Sequence, residues 1–152
     1  MKVILLTLLL LSSYDNPLDS IRMAYHQLKS EEALEQFLES IDYIDNTQLV
    51  PYKASAIMQK AEYVSSPFSK LKFFNQGKHI LEEYIKKNPN NIEARYVRIM
   101  VQSQLPGFLG YKNNMESDAA FIHTNIQSTN IPIDYSQLIL INIDKYTKKV
   151  EP

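Results

Sequence analysis

The chain has 152 residues, 45% hydrophobic and 22% charged, with a formal net charge of −1. That balance suits a single folded domain with a proper core and excludes a largely disordered chain. It advertises neither nucleic acid nor an anionic membrane as partner. Cysteine is absent, which excludes disulfides, thiolate metal sites, cysteine nucleophiles and a lipid-bearing cysteine. Three glycines stand against ten tyrosines, too little glycine for phosphate-cradling loops.

Met1-Lys2 gives a short positive start, Val3 to Leu11 is apolar except for Thr7, and Ser12-Ser13 supplies a small-residue exit. This layout predicts a secretory signal over residues 1–13 and an exported chain, periplasmic or secreted. The apolar run is well short of the roughly 20 residues a membrane-crossing helix needs, so no stable span follows signal removal. The alternative is a cytoplasmic protein whose apolar first segment is buried. Residues 14–147 read as one all-helical domain, and 148–152 as a frayed tail.

Asn16-Pro17 opens the first predicted helix, with Pro in the first turn, where its missing N–H costs nothing. Leu18, Ile21, Tyr25 and Leu28 form its apolar stripe, and Lys29-Ser30 ends it. A second helix starts near Glu31, with Leu34, Phe37, Leu38, Ile41 and Ile44 on one side. Its acids Glu31, Glu32, Glu35 and Glu39 read as a solvated face rather than as paired catalytic carboxylates. A third helix runs from about Pro51 to Val64, with Tyr52 and Tyr63 bordering its apolar face. Ser66 caps the fourth, Phe68 to Lys87, whose broad stripe takes in Leu71, Phe74, Ile80, Leu81, Tyr84 and Ile85. Gly77 costs that helix about 1 kcal/mol relative to Ala, which a close helix–helix approach or a local bend would explain.

The organising stretch is Ile80 to Met100. Lys86 and Lys87 suit the carbonyl end of the fourth helix, and Asn88-Pro89 stops it. Asn91 then caps a fifth helix, Ile92 to about Gln104, and Glu93 places negative charge at its amino end. Leu105 to Tyr111, LPGFLGY, reads as a tucked connector with Gly107 and Gly110 at positive φ. A sixth helix, about 112–127, and a seventh, about 133–146, complete the chain. The last is apolar on more than one side through Leu140 and Ile141. No β alternation of useful length occurs. The fold class is all-α: a right-angled or antiparallel stack of about seven helices.

Pro89-Asn90-Asn91-Ile92-Glu93-Ala94 resembles the junction between tetratricopeptide repeats. Tyr84 stands where that family prefers Ala, and no second copy lies about 34 residues away. The resemblance therefore implies repeat-like hairpins without a regular repeat. Three further segments, Asn88 to Arg98, Pro106 to Tyr111 and Asn114 to Asp118, together resemble a family of exported or periplasmic helical proteins of Bacteroidetes-type bacteria. That second resemblance implies architecture and address, and no activity.

Candidate binding residues are Arg95, Arg98 and Gln102, a polar stripe on the fifth helix, with Phe108 and Tyr111 in the connector. Two guanidinium groups on one face could clamp a ligand's carboxylate or phosphate. They could equally pair with Glu82, Glu83 or Asp118 and fix one helix against another, which suits a helix whose other face must pack. Phe108 and Tyr111 could present an aromatic surface, or Leu105, Phe108 and Leu109 could plug the end of the stack. His26, His79 and His123 have no metal-ligand spacing, and the serines sit in turns and caps, so no metal, cofactor or catalytic residue is assigned. The expectation is a non-enzymatic module that binds a protein or peptide, or a scaffold. The alternatives are a small-ligand binder or enzyme using an Arg95/Arg98 anion site, and an envelope subunit docking through its last helix.

Overall fold

A computed structural model describes residues 16–147. The signal expected over 1–13 and the frayed tail expected over 148–152 lie outside them. Among the described residues there are seven α-helices and no strand. These are α1 (Pro17–Tyr25), α2 (Glu31–Asp42), α3 (Val50–Gln59), α4 (Pro67–Lys87), α5 (Ile92–Gln104), α6 (Met115–Asn125) and α7 (Ile133–Thr147). No described helix is long and apolar enough to cross a membrane.

The helix starts follow from local chemistry. Asn16 accepts a hydrogen bond from the Leu18 N–H at 3.0 Å, Ser30 from Ala33 at 3.1 Å, Ser66 from Ser69 at 3.4 Å and Asn91 from Ala94 at 2.8 Å. Each satisfies a backbone donor that the helix itself leaves unpaired. The ends are less faithful to the apolar pattern. α1 stops at Tyr25 because the chain turns at His26 and Gln27, yet Leu28 still packs on the core. α3 stops at Gln59 and tightens into a 3-10 turn over Lys60–Glu62, and α6 gives way to another over Ile126–Ser128. Periodicity cannot separate a tightened last turn from a continued helix.

α5 sits between two cores. Ala94, Val97 and Val101 pack into a core built with α1 to α4, while Ile92, Tyr96, Ile99 and Met100 join a second built with α6 and α7. A helix enclosed on both flanks needs two apolar faces, and α5 has them, with Glu93, Arg98 and Gln102 buried between.

The tightest contact is between α3 and α4. A Cβ placed on Gly77 would lie 2.4 Å from the Ala54 carbonyl oxygen and 2.5 Å from Met58 Cγ. Close approach, rather than a bend, is what the glycine permits. It lets the two helices form the most extensive helix pair in the fold.

Three side-chain or backbone expectations change. Tyr52 does not border α3's buried face but lies at its centre, fully enclosed. Leu71 drops out of α4's buried stripe and is half exposed, beside the still more exposed Phe68. Only Gly110 has positive φ, at 61°; Gly107 opens a 3-10 turn over Gly107–Leu109 without it. Of the two apolar residues on α7's outer side, Leu140 packs on the second core and Ile141 faces outward.

Candidate functional site

The polar stripe of α5 turns inward. Arg98 grips Asp118 of α6 with two bonds, Nε to Oδ2 at 2.7 Å and Nη2 to Oδ1 at 2.8 Å, and reaches Glu82 of α4 at 2.9 Å. Arg95 donates to the same Asp118 at 2.6 Å and to the Pro89 carbonyl at 2.9 and 2.7 Å. Its guanidinium lies 4.2 Å from the centre of the Phe121 ring. Asp118 is 0% exposed and Arg98 nearly so, and that pair is matched where water cannot screen it; Arg95 reaches in from the part-exposed side. Burial pulls the Arg98 guanidinium down, but Asp118 and Glu82 outweigh it and hold the group above its ordinary value. Tyr111 is buried and donates to Glu82, with Lys78 over its ring at 4.7 Å. Gln102 is enclosed too, donating a long bond of 3.4 Å to Asn114.

These residues form a clamp joining α4, α5, α6 and the connector. Glu82 and Asp118 take the arginines, whereas Glu83 faces Lys86 at 3.9 Å. Phe108 parts company with the other candidates. It is 87% exposed, so only Leu105 and Leu109 of the expected plug pack on the core.

A second buried network was not legible in the sequence. Arg22 of α1 holds Glu93 through Nε at 2.9 Å and Nη2 at 2.5 Å, and holds Asp19 at 2.5 Å. Tyr52 of α3 donates to the same Glu93 carboxylate. The Tyr52 hydroxyl meets that of Tyr135 of α7 at 2.9 Å, and Tyr135 meets His26 Nε2 at 3.5 Å. Glu93 reads in sequence as a helix-end charge, and its arginine lies 71 positions away. No spacing rule finds such a pair.

Phe108 stands on the lip of an apolar groove of about 570 Å³. One wall is α4, through Pro67, Leu71 and Phe74; the other is the end of α5 and the connector, through Val101, Leu105 and Leu109. Tyr25 and Ser55, both buried, form its floor, their hydroxyls bonded at 3.0 Å. Glu62 and Lys70 stand on its border. Its volume falls within the usual range for ligand pockets. A smaller polar cleft of about 450 Å³ opens where α1, α5 and α7 begin, over Arg22 and Glu93.

No protein-family model, curated protein or solved structure matches this chain.

The geometry alone must therefore speak for the chemistry. Among the described residues no group of three or more His, Asp or Glu is placed to hold a metal ion. His123 pairs with Asp144 at 3.0 Å on the surface of α6 and α7. The carboxylates of Glu93 and Asp118 are pinned by arginines, which suits fixing helices rather than exchanging protons. Among the described residues two concave features of about 570 Å³ stand clear of these networks: the apolar groove, and a more polar cleft lined by Ser103, Lys112, Glu116 and Tyr146.

Proposed function

We propose that the chain is an exported, non-enzymatic helical module that binds an apolar peptide segment of a protein partner in the groove between α4 and the connector. The observation that carries this reading is the groove itself, lined by Phe108 and Leu71, two large apolar side chains that face water, with exposed Phe68 three residues before Leu71 on α4. Exposed apolar surface gathered at a groove is a binding feature more often than a stray one. Pro67, Lys70, Leu71 and Phe74 project from two successive turns of α4, and Met100, Val101 and Gln104 from α5. Walls ridged at helical spacing suit an amphipathic helix laid between them. Glu62 and Lys70 are in no ion pair with another described residue, and would meet opposite charges on the incoming helix. Export rests on the N-terminal sequence layout, and the absence of a reaction on arginines and acids spent on one another.

The test is selection of a displayed peptide library on the chain. Enriched peptides should carry apolar residues at helical spacing, and should bind a Leu71→Glu/Phe108→Ser variant at least about tenfold more weakly. Because both side chains are exposed, the variant should unfold like the parent. Enriched peptides that bind parent and variant equally, or a library that yields none, would sink the proposal.

A second reading, docking of α7 on another chain in an assembly, draws on Ile133 and Ile141, which are 78% and 65% exposed. Sedimentation that finds only monomer at high concentration would remove it.

A further inference from the structure

We propose that the groove is pH-gated: protonation of His26, at the end of α1, loosens the groove floor and releases the ligand on acidification. The proposal rests on the groove reading above and adds its regulation.

The hydrogen-bond chain that ends at His26 has a direction. A carboxylate paired with arginine only accepts, so Tyr52 donates to Glu93. With its own proton spent, the Tyr52 oxygen accepts from Tyr135 at 2.9 Å. The Tyr135 oxygen is then the acceptor for His26 Nε2 at 3.5 Å. His26 thus carries its hydrogen on Nε2 when neutral, leaving Nδ1 to take up a second proton.

Its surroundings resist that second proton. The ring lies among three tyrosines, with centroids 5.2 Å from Tyr25, 5.9 Å from Tyr135 and 6.0 Å from Tyr96. Arg22 already places a cation 5.3 Å from the centre of the Tyr135 ring. The titratable groups against the ring are Tyr25 from α1, Tyr96 from α5 and Tyr135 from α7, and Tyr135 leads on through Tyr52 of α3 to Glu93 of α5 and to Arg22 and Asp19 of α1. Asp19 and Glu93 both hydrogen-bond Arg22 rather than the His26 ring. Aromatic faces and the helix end favour the cation, but burial outweighs them and holds the His26 pKa below its ordinary 6.5.

The link to the groove is Tyr25, next to His26 in the chain and in edge contact with its ring. Tyr25 bonds Ser55 at 3.0 Å, and that pair is the groove floor. An imidazolium drawn toward water takes this turn of chain with it and disturbs the floor. Because the folded pKa lies below the unfolded one, stability and binding are intact above about pH 6.5 and fall as pH drops below it.

Phenylnaphthylamine, an uncharged apolar dye, probes the groove of the intact chain, with far-UV circular dichroism confirming that helicity persists. Parent affinity should fall at least about threefold from about pH 7.5 to about pH 5.5, and the His26→Gln profile should be flat. A flat parent profile, or an unchanged slope in His26→Gln, overturns the gate. If the dye binds the Leu71→Glu variant as well as the parent, or binds neither, the groove reading fails. The gate falls with it, whereas dye binding that Leu71→Glu weakens but pH leaves unchanged overturns the gate alone, as does a His26 imidazole NMR titration with a midpoint at or above the ordinary 6.5.

Discussion

Replacing Gly77 with alanine opposes two effects of known size. Helix propensity favours alanine by about 1 kcal/mol at an interior position. Sterics oppose it, because the added Cβ meets the Ala54 carbonyl oxygen at 2.4 Å, Met58 Cγ at 2.5 Å and the Met58 nitrogen at 3.0 Å. Met58 Cγ belongs to a flexible side chain, but the other two atoms are helix backbone. Restoring an ordinary 3.4 Å contact therefore requires α3 and α4 to separate by about 1 Å. A gap of that size forfeits roughly a quarter to a half of the dispersion energy of each affected atom pair. Overpacking costs about 1–3 kcal/mol, and a backbone obstacle places this site at the upper end. The net expectation for Gly77→Ala is a loss of about 2 kcal/mol, or about 4–8 °C in Tm. Thermal unfolding followed by far-UV circular dichroism measures it. A variant as stable as the parent, or more so, would refute the reasoning, since propensity would then have outweighed packing.

The clamp makes the next expectation. Asp118→Asn leaves Arg95 and Arg98 facing a neutral amide inside the fold and should cost about 3–5 kcal/mol in urea denaturation. By the same logic Arg95→Ala/Arg98→Ala should unfold rather than lose a ligand selectively; a double variant of parental stability would return these residues to the list of binding groups. At high pH the buried tyrosines set the limit. Burial pushes the Tyr25 hydroxyl up to about 12 and holds those of Tyr52, Tyr96, Tyr111 and Tyr135 above their ordinary value as well. With folded values above the unfolded 10.0, their contribution is complete below about pH 10 and is lost as pH rises past it. Phenolate absorbance of these five should emerge together with alkaline unfolding, and a smooth titration that leaves the helices intact would contradict their burial.

The chain's residues settle its local structure before any folding partner is known. Asn16, Ser30, Ser66 and Asn91 each bond an amide two or three residues ahead, and Pro89 removes its own donor, so helix starts and the α4–α5 corner are written within a few positions. The apolar faces of α1 and α2 are equally plain. Tertiary structure decided which face meets which. Leu71 has the spacing of a core residue, yet no helix covers it, and an uncovered wall leaves no mark in a sequence. Arg98 could be placed on a polar stripe, but whether that stripe looked outward or toward Asp118 depended on where α6 packs. Glu93, Tyr52, Tyr135 and His26 lie on four different segments and meet only when the whole stack closes. Capping bonds connect near neighbours and so can be read along the chain. Buried charge pairs and grooves join or separate residues tens of positions apart, and only the packing of one helix on another brings them into being.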